Sequence, residues 1–156
     1  MFGRKMFTAT KDGRIKVNVD DGVLGLVGSL SDQLRELLLV DDAEELRRLY
    51  PTAYPDDPER QADFHGIVHD QLLMARLDAI DRVEATLHDD NLSIDDADAW
   101  LSTINQIRLV LGTRLDVGED DDPIIDEDDP RAPAQVIYQV MSHVLEDLTG
   151  ARASLL

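Results

Sequence analysis

The chain has 156 residues, the size of one domain, and its 43% hydrophobic content supplies an aliphatic core, since aromatics make up only 4%. Its 33 acids against 15 Lys and Arg leave a formal net charge of -18, a field that repels nucleic acid and anionic membrane surfaces and suits a basic partner. The absence of Cys excludes disulfides, thiolate metal sites and thiol redox chemistry. With no apolar leader over residues 1–15 and no apolar stretch of membrane-spanning length, a cytoplasmic protein is expected.

Residues 6–19, MFTATKDGRIKVNV, predict a β-hairpin turning at Asp12-Gly13. Pairing across a two-residue turn puts Met6, Thr8 and Thr10 on one face with Val19, Val17 and Ile15. Two strands alone are marginal in water, so this face is expected to pack on helices. Arg4, Lys5, Lys11, Arg14 and Lys16 give the first 20 residues a net +3, leaving -21 for the rest. These cations read as exposed strand residues guarding an edge. They are also the one surface in the sequence that would touch DNA, if any does.

Asp20-Asp21 caps a helix running to about Val40, its apolar face built from Val23, Leu26 or Val27, Leu30, Leu34, Leu37 and Leu38. Gly22, Gly25 and Gly28 recur within it. Their spacing is not a dinucleotide fingerprint, because they lie inside the helical pattern and not in a strand-to-helix turn. A short helix is expected over 42–49. Tyr50 to Pro58 then forms a proline-punctuated connection, with Tyr50 and Tyr54 either lying on the core or lining a binding surface.

Asp57, Pro58 and Glu59 start a long helix reaching about Leu87. Its expected core stripe is Phe64, Val68, Leu72, Ala75, Ala79, Ile80, Val83 and Leu87, and Gly66 marks a point where it can bend. His65 and His69 are four apart, so both imidazoles can share a face. They lack the adjacent Glu of a zinc-protease helix and a marked third ligand, so boundary histidines are the expectation and a metal site the weaker alternative.

Residues 88–91 turn into the stretch around which the chain is organised, Leu92 to Leu115. Ser93 with Asp96 forms a near capping box, and Leu92 with Ala97 a hydrophobic staple. Ala97, Trp100, Leu101, Ile104, Ile107, Leu111 and Leu115 follow a helical period. Leu109, Val110 and Leu111 in succession imply burial on more than one side. Asn105, Arg108 and Gly112 interrupt it along one side, and Arg114 adds a second cation. Arg108 reads as tied to a carboxylate, for instance on the long helix, with a partner-binding groove as the alternative.

Asp116 to Asp129 holds nine acids in fourteen residues, a solvated loop without EF-hand spacing. The last helix is expected from Arg131 to Thr149, with Ala134, Ile137, Val140 or Met141, Val144, Leu145 and Leu148 inward and Gly150 ending it. No nucleophile elbow or P-loop occurs, and no catalytic residue or cofactor is assigned.

The runs Leu46 to Glu59, LRRLYPTAYPDDPE, and Trp100 to Asp122, WLSTINQIRLVLGTRLDVGEDDD, stand between the hairpin and the C-terminal helix. In this combination the chain resembles, over nearly its whole length, an actinobacterial family labelled a domain of unknown function and also called the actinomycete oxidative stress regulator (AosR) family. The resemblance implies a regulator of oxidative-stress and cysteine-biosynthesis transcription working with a stress sigma factor. Members are typically encoded near the protease adaptor ClpS and a metal-dependent isopeptidase of the sulfur-carrier cysteine pathway. The chain departs from a thiol-switch relative in having no Cys, which counts against direct oxidant sensing through sulfur.

The expected architecture is mainly α in a single domain over 1–156. A hairpin over 6–19 packs on a bundle of about five helices over 21–150, with an acidic loop over 116–130. The expected function is non-enzymatic regulation through contacts with a sigma factor or RNA polymerase, by way of Tyr50, Tyr54, Asn105, Arg108 and Arg114. The alternatives are an adaptor in ClpS-linked proteolysis and a metal protein or enzyme using His65 and His69. A homodimer through the first helix or the hairpin edge is left open.

Overall fold

The computed structural model describes residues 5–40, 56–115 and 127–155, the side chains of 61–67 excepted. Its elements are β1 (Phe7–Ala9), β2 (Ile15–Val17), α1 (Asp21–Val40), α2 (Pro58–Thr86), β3 (Asn91–Leu92), α3 (Ile94–Arg114) and α4 (Ala132–Ala153). The protein is mainly α, with a small antiparallel sheet packed on a helical bundle. The helix expected over 42–49, the tyrosine-bearing connection and most of the acidic loop lie outside the described residues.

α3 is the centre. The Ser93 side chain accepts from the Asp96 amide at 3.1 Å, the expected N-cap. Its buried residues include Ala97, Ala99, Trp100, Thr103, Ile104, Gln106, Ile107, Val110 and Leu111, which cover several sides of the helix. α1, α2 and α4 all pack on it. The entry to α2 also follows its sequence: the Asp57 side chain accepts from the Arg60 amide with Pro58 at the first turn.

Electrostatic ties join these helices. Arg82 meets Asp96 between α2 and α3 at 3.3 Å, and Arg152 meets Asp98 between α4 and α3 at 2.8 Å. Arg131 donates to the Leu115 carbonyl at 3.3 Å, a cation at the carboxyl end of α3. Its guanidinium and backbone amide together hold the Asp129 carboxyl below its ordinary range.

The hairpin forms with a register one residue from the expected one. The pairs are Phe7↔Val17, Thr8↔Lys16 and Ala9↔Ile15. The reason lies in the turn. Gly13 adopts φ +79, its amide donates to the Thr10 carbonyl at 3.2 Å, and the Thr10 amide donates to the Arg14 carbonyl at 2.8 Å. This is a three-residue loop with a left-handed glycine, not a two-residue turn. A one-residue slip turns the side chains of β1 over relative to those of β2, so that Phe7 takes the place expected for Thr8 beside Ile15. Phe7 and Ile15 therefore face the core, 1% and 0% exposed, while Thr8 and Lys16 face outward. The Phe7 ring meets the Trp100 indole edge to face, with centroids 6.1 Å apart.

A third strand was not expected. β3 pairs antiparallel with β2 through Ile15↔Leu92 and Lys16↔Asn91, so β2 is central and β1 an edge. Leu92 is fully buried here, serving the sheet as well as the staple. Lys16 consequently stands on the outer face of a central strand and does not guard an edge.

Two helix details also differ. Ala75 is exposed, and the α2 residues that pack on the core instead include Leu73 and Leu77. α4 continues through Gly150 to Ala153, because Ala151 and Leu155 pack against the core and a helical Gly costs only about 1 kcal/mol. Gly28 in α1 is a point of close approach: a Cβ there would stand 2.9 Å from Leu87 Cδ2.

Candidate partner-binding groove

The sheet register decides which backbone groups β1 keeps for itself. In an antiparallel ladder, alternate residues point their N–H and C=O groups to opposite sides. The Met6 carbonyl accepts from Asn18 at 2.7 Å, Thr8 stands opposite Lys16 and the Thr10 amide donates to Arg14, so these groups serve β2. Phe7 and Ala9 direct theirs to the outer edge. The Phe7 amide donates to Asp147 Oδ2 at 2.9 Å, and the same oxygen accepts from the Met6 amide at 2.7 Å. Among the described residues no hydrogen bond takes up the Phe7 carbonyl or either backbone group of Ala9.

This open edge borders a groove of about 540 Å³. One wall is β1, with Lys5, Phe7, Thr8 and Ala9. The other is one face of α4, where His143, Glu146, Asp147, Gly150, Ala151 and Ser154 recur at helical spacing. Asp147 joins the walls and fixes their separation. Glu146 is exposed on the rim, and Gly150 leaves the floor open, since a Cβ there would meet nothing within 4 Å. The groove brings the outward Phe7 carbonyl and the Ala9 N–H and carbonyl together with a helix wall carrying His143, Glu146 and Asp147, and with Lys5 on the strand side. Sequence reasoning missed it. The one available signal was the apolar/polar pattern around Asp147, and the partner of that carboxylate comes from more than a hundred residues away.

The described residues among those expected to bind lie elsewhere. Asn105 is exposed. Arg108 is half-buried and its described contacts run to α4, where the sequence reading looked to the long helix: Nε donates to Ser142 Oγ at 2.8 Å, and the guanidinium lies 5.2 Å over the Tyr138 ring. Gly112 is buried in the core. Arg114 is exposed beside a notch shared with Leu30, Leu37 and Leu111. Tyr50 and Tyr54 lie outside the described residues, and Asn105, Arg108 and Arg114 are spread over different surroundings along α3.

Among the hairpin cations, Lys5 lines the groove and Lys11 is exposed at the turn, while Arg4 is outside the described residues. Arg14 donates to Asn91, and with Lys16 it borders a second hollow of about 200 Å³ that also contains Asp12 and Asp90. The described cations are thus interleaved with acids. His69 is buried on α2, and the side chain of His65 is not described. Among the described residues no three His, Asp or Glu come together as a metal site.

An ionic cluster around Arg35 joins α1 to α2. Arg35 grips Glu84 with both guanidinium nitrogens at 2.7 and 2.8 Å, and also meets Asp81 at 2.9 Å and Asp32 at 3.0 Å. Arg35 holds the Glu84 carboxyl below its ordinary value, while hydrogen bonding to Glu84 raises that of Asp32. Each carboxylate here has the Arg as its counter-charge, so the cluster is a brace.

Residues 4–152 match the family model described as a domain of unknown function, DUF2017. The chain belongs to this family. No curated protein and no solved structure matches it significantly. Among the described residues of this DUF2017 chain, no helix is long and apolar enough to cross a membrane.

Proposed function

We propose that this DUF2017 chain is a non-enzymatic, cytoplasmic regulator that works by binding another protein, of the sigma-factor or RNA-polymerase class. The observation that carries the reading is the outer edge of β1 above the α4 groove, where no described residue pairs the Phe7 carbonyl or the Ala9 N–H and carbonyl. An open strand edge is a template for a second chain, and folded proteins ordinarily cover or blunt such edges. The net charge of -18 favours a partner with a basic face over a nucleic acid. The resemblance to the oxidative-stress regulator family supports the partner class. Without Cys, no response to oxidant runs through a thiol of this chain.

Co-purification of the tagged protein from its host, with and without oxidant and at two salt concentrations, tests this. Recovery of a sigma factor or RNA polymerase, weakened by salt, is expected. Recovery of Clp protease components in their place would move the protein to the adaptor class, and recovery of neither would overturn the proposal.

A further inference from the structure

The groove is specific about the shape of what it can hold. Its β1 wall offers an outward carbonyl at Phe7 and an outward N–H and carbonyl at Ala9, spaced as one turn of a strand ladder. Those groups pair best with another extended backbone. The α4 wall supplies side-chain selection. A strand laid along β1 places alternate side chains toward α4, where Gly150 and Ala151 leave room for a β-branched residue and Glu146 stands on the rim to receive a cation. Asp147 is already engaged by two β1 amides, so it holds the edge in place and leaves Glu146 as the carboxylate open to a ligand.

We infer that β1 takes up an extended, Lys- or Arg-bearing segment of a partner protein as an additional strand, paired through Phe7 and Ala9 and seated against Glu146, Gly150 and Ala151 of α4. This rests on the protein-binding function proposed above and specifies its mode. Strand addition draws affinity from main-chain hydrogen bonds and specificity from pockets for alternate side chains. Charge complementarity selects the occupant: a basic segment enters the field of a chain carrying -18 and meets Glu146 on the rim, whereas a second copy carries the same net charge of -18.

The test uses the full-length protein and two pools of short synthetic peptides. One pool alternates Lys or Arg with Val, Ile or Thr; the other replaces the basic positions with Asp or Glu. Retained peptides are identified by mass spectrometry and titrated singly. The tightest basic peptide is expected to bind at least about tenfold more strongly than any acidic one.

Two variants locate the binding. Ala9→Pro removes the outward N–H and spares the ladder to β2, since Pro is tolerated on an edge facing away from its partner strand. Gly150→Leu fills the floor at a position with open space. A loss of roughly tenfold or more in either variant that keeps the wild-type circular dichroism supports the inference. Smaller effects in both, no retained basic peptide, or a wild-type dimer that Ala9→Pro converts to monomer would overturn it. The co-purification assumes nothing about β1. A sigma factor recovered equally by wild type and Ala9→Pro would leave the proposed function standing and remove strand addition; peptide binding without any recovered regulator would do the reverse.

Discussion

The Trp100 indole donates to the Thr86 hydroxyl at 2.8 Å, inside the core and across the junction of α2 and α3. Thr86 in turn donates to the Arg82 carbonyl at 2.7 Å, so its oxygen is held with a lone pair toward the indole. The last residue of one helix thus satisfies the one polar atom of the largest core side chain. Burying that N–H without a partner would be costly.

Thr86→Val keeps the shape and removes the acceptor. It is expected to cost about 1–3 kcal/mol, with Thr86→Ser costing less than about 1 kcal/mol. Urea unfolding checks this. The midpoint should fall with an unchanged m-value, and because Trp100 is the single Trp, its emission reports the site directly.

The link between sheet and bundle runs through Asp147. Asp147→Ala frees the Met6 and Phe7 amides from their shared carboxylate and is expected to destabilise by about 1–3 kcal/mol. Hydrogen exchange should quicken at those amides and across β1, while the α2–α3 core keeps its protection. Equal acceleration throughout would mean that β1 is not a separate unit of opening.

Arg35 is surrounded by Asp32, Asp81 and Glu84, and replacing it with Met leaves these acids facing one another. The expected loss at neutral pH and low salt is about 1–2 kcal/mol, shrinking as salt rises. The pH dependence has a definite sign. Glu84 is lowered from 4.5, so its contribution is present above that pH and disappears as acid passes through its lowered value. The gap between wild type and Arg35→Met should therefore close in acid. Asp32 is raised from 3.8, so its contribution is present below that pH and is lost as pH climbs through its raised value. Asp32→Asn is expected to leave the protein as stable or more stable at neutral pH, which thermal unfolding across pH would show.

Gly13→Ala isolates the turn. A Cβ meets nothing within 4 Å there, so the cost is backbone strain at φ +79, about 1 kcal/mol, with Gly13→Asn costing less. A calorimetric scan of the two variants checks the order. An Ala variant as stable as wild type would show that the loop can relax away from the left-handed conformation.

The helices were legible because their determinants are local. Ser93 with Asp96, and Asp57 with Pro58, carry their own start signals within one turn, and the period of Trp100, Ile104, Ile107 and Leu111 needs no distant partner to be seen. The hairpin was legible for the same reason, as Asp12-Gly13 announces a turn. Its register was not, because two- and three-residue loops share that dipeptide. The choice between them falls to burial: only the three-residue loop puts Phe7, and not Thr8, on the core face beside Ile15 and against Trp100.

The groove was illegible for a stronger reason. β1 and Asp147 lie at opposite ends of the chain, and nothing local marks a carboxylate on a helix as the acceptor for a strand. The same holds for Arg35 with Glu84 and for β3, a strand of two residues with no period to detect. Composition, caps and helical periodicity by themselves determined a mainly helical domain of strong negative charge centred on residues 92–115. Which edge of the sheet stays open, and what faces it, depended on contacts between distant residues, whose free energy exists only once the chain has closed on itself.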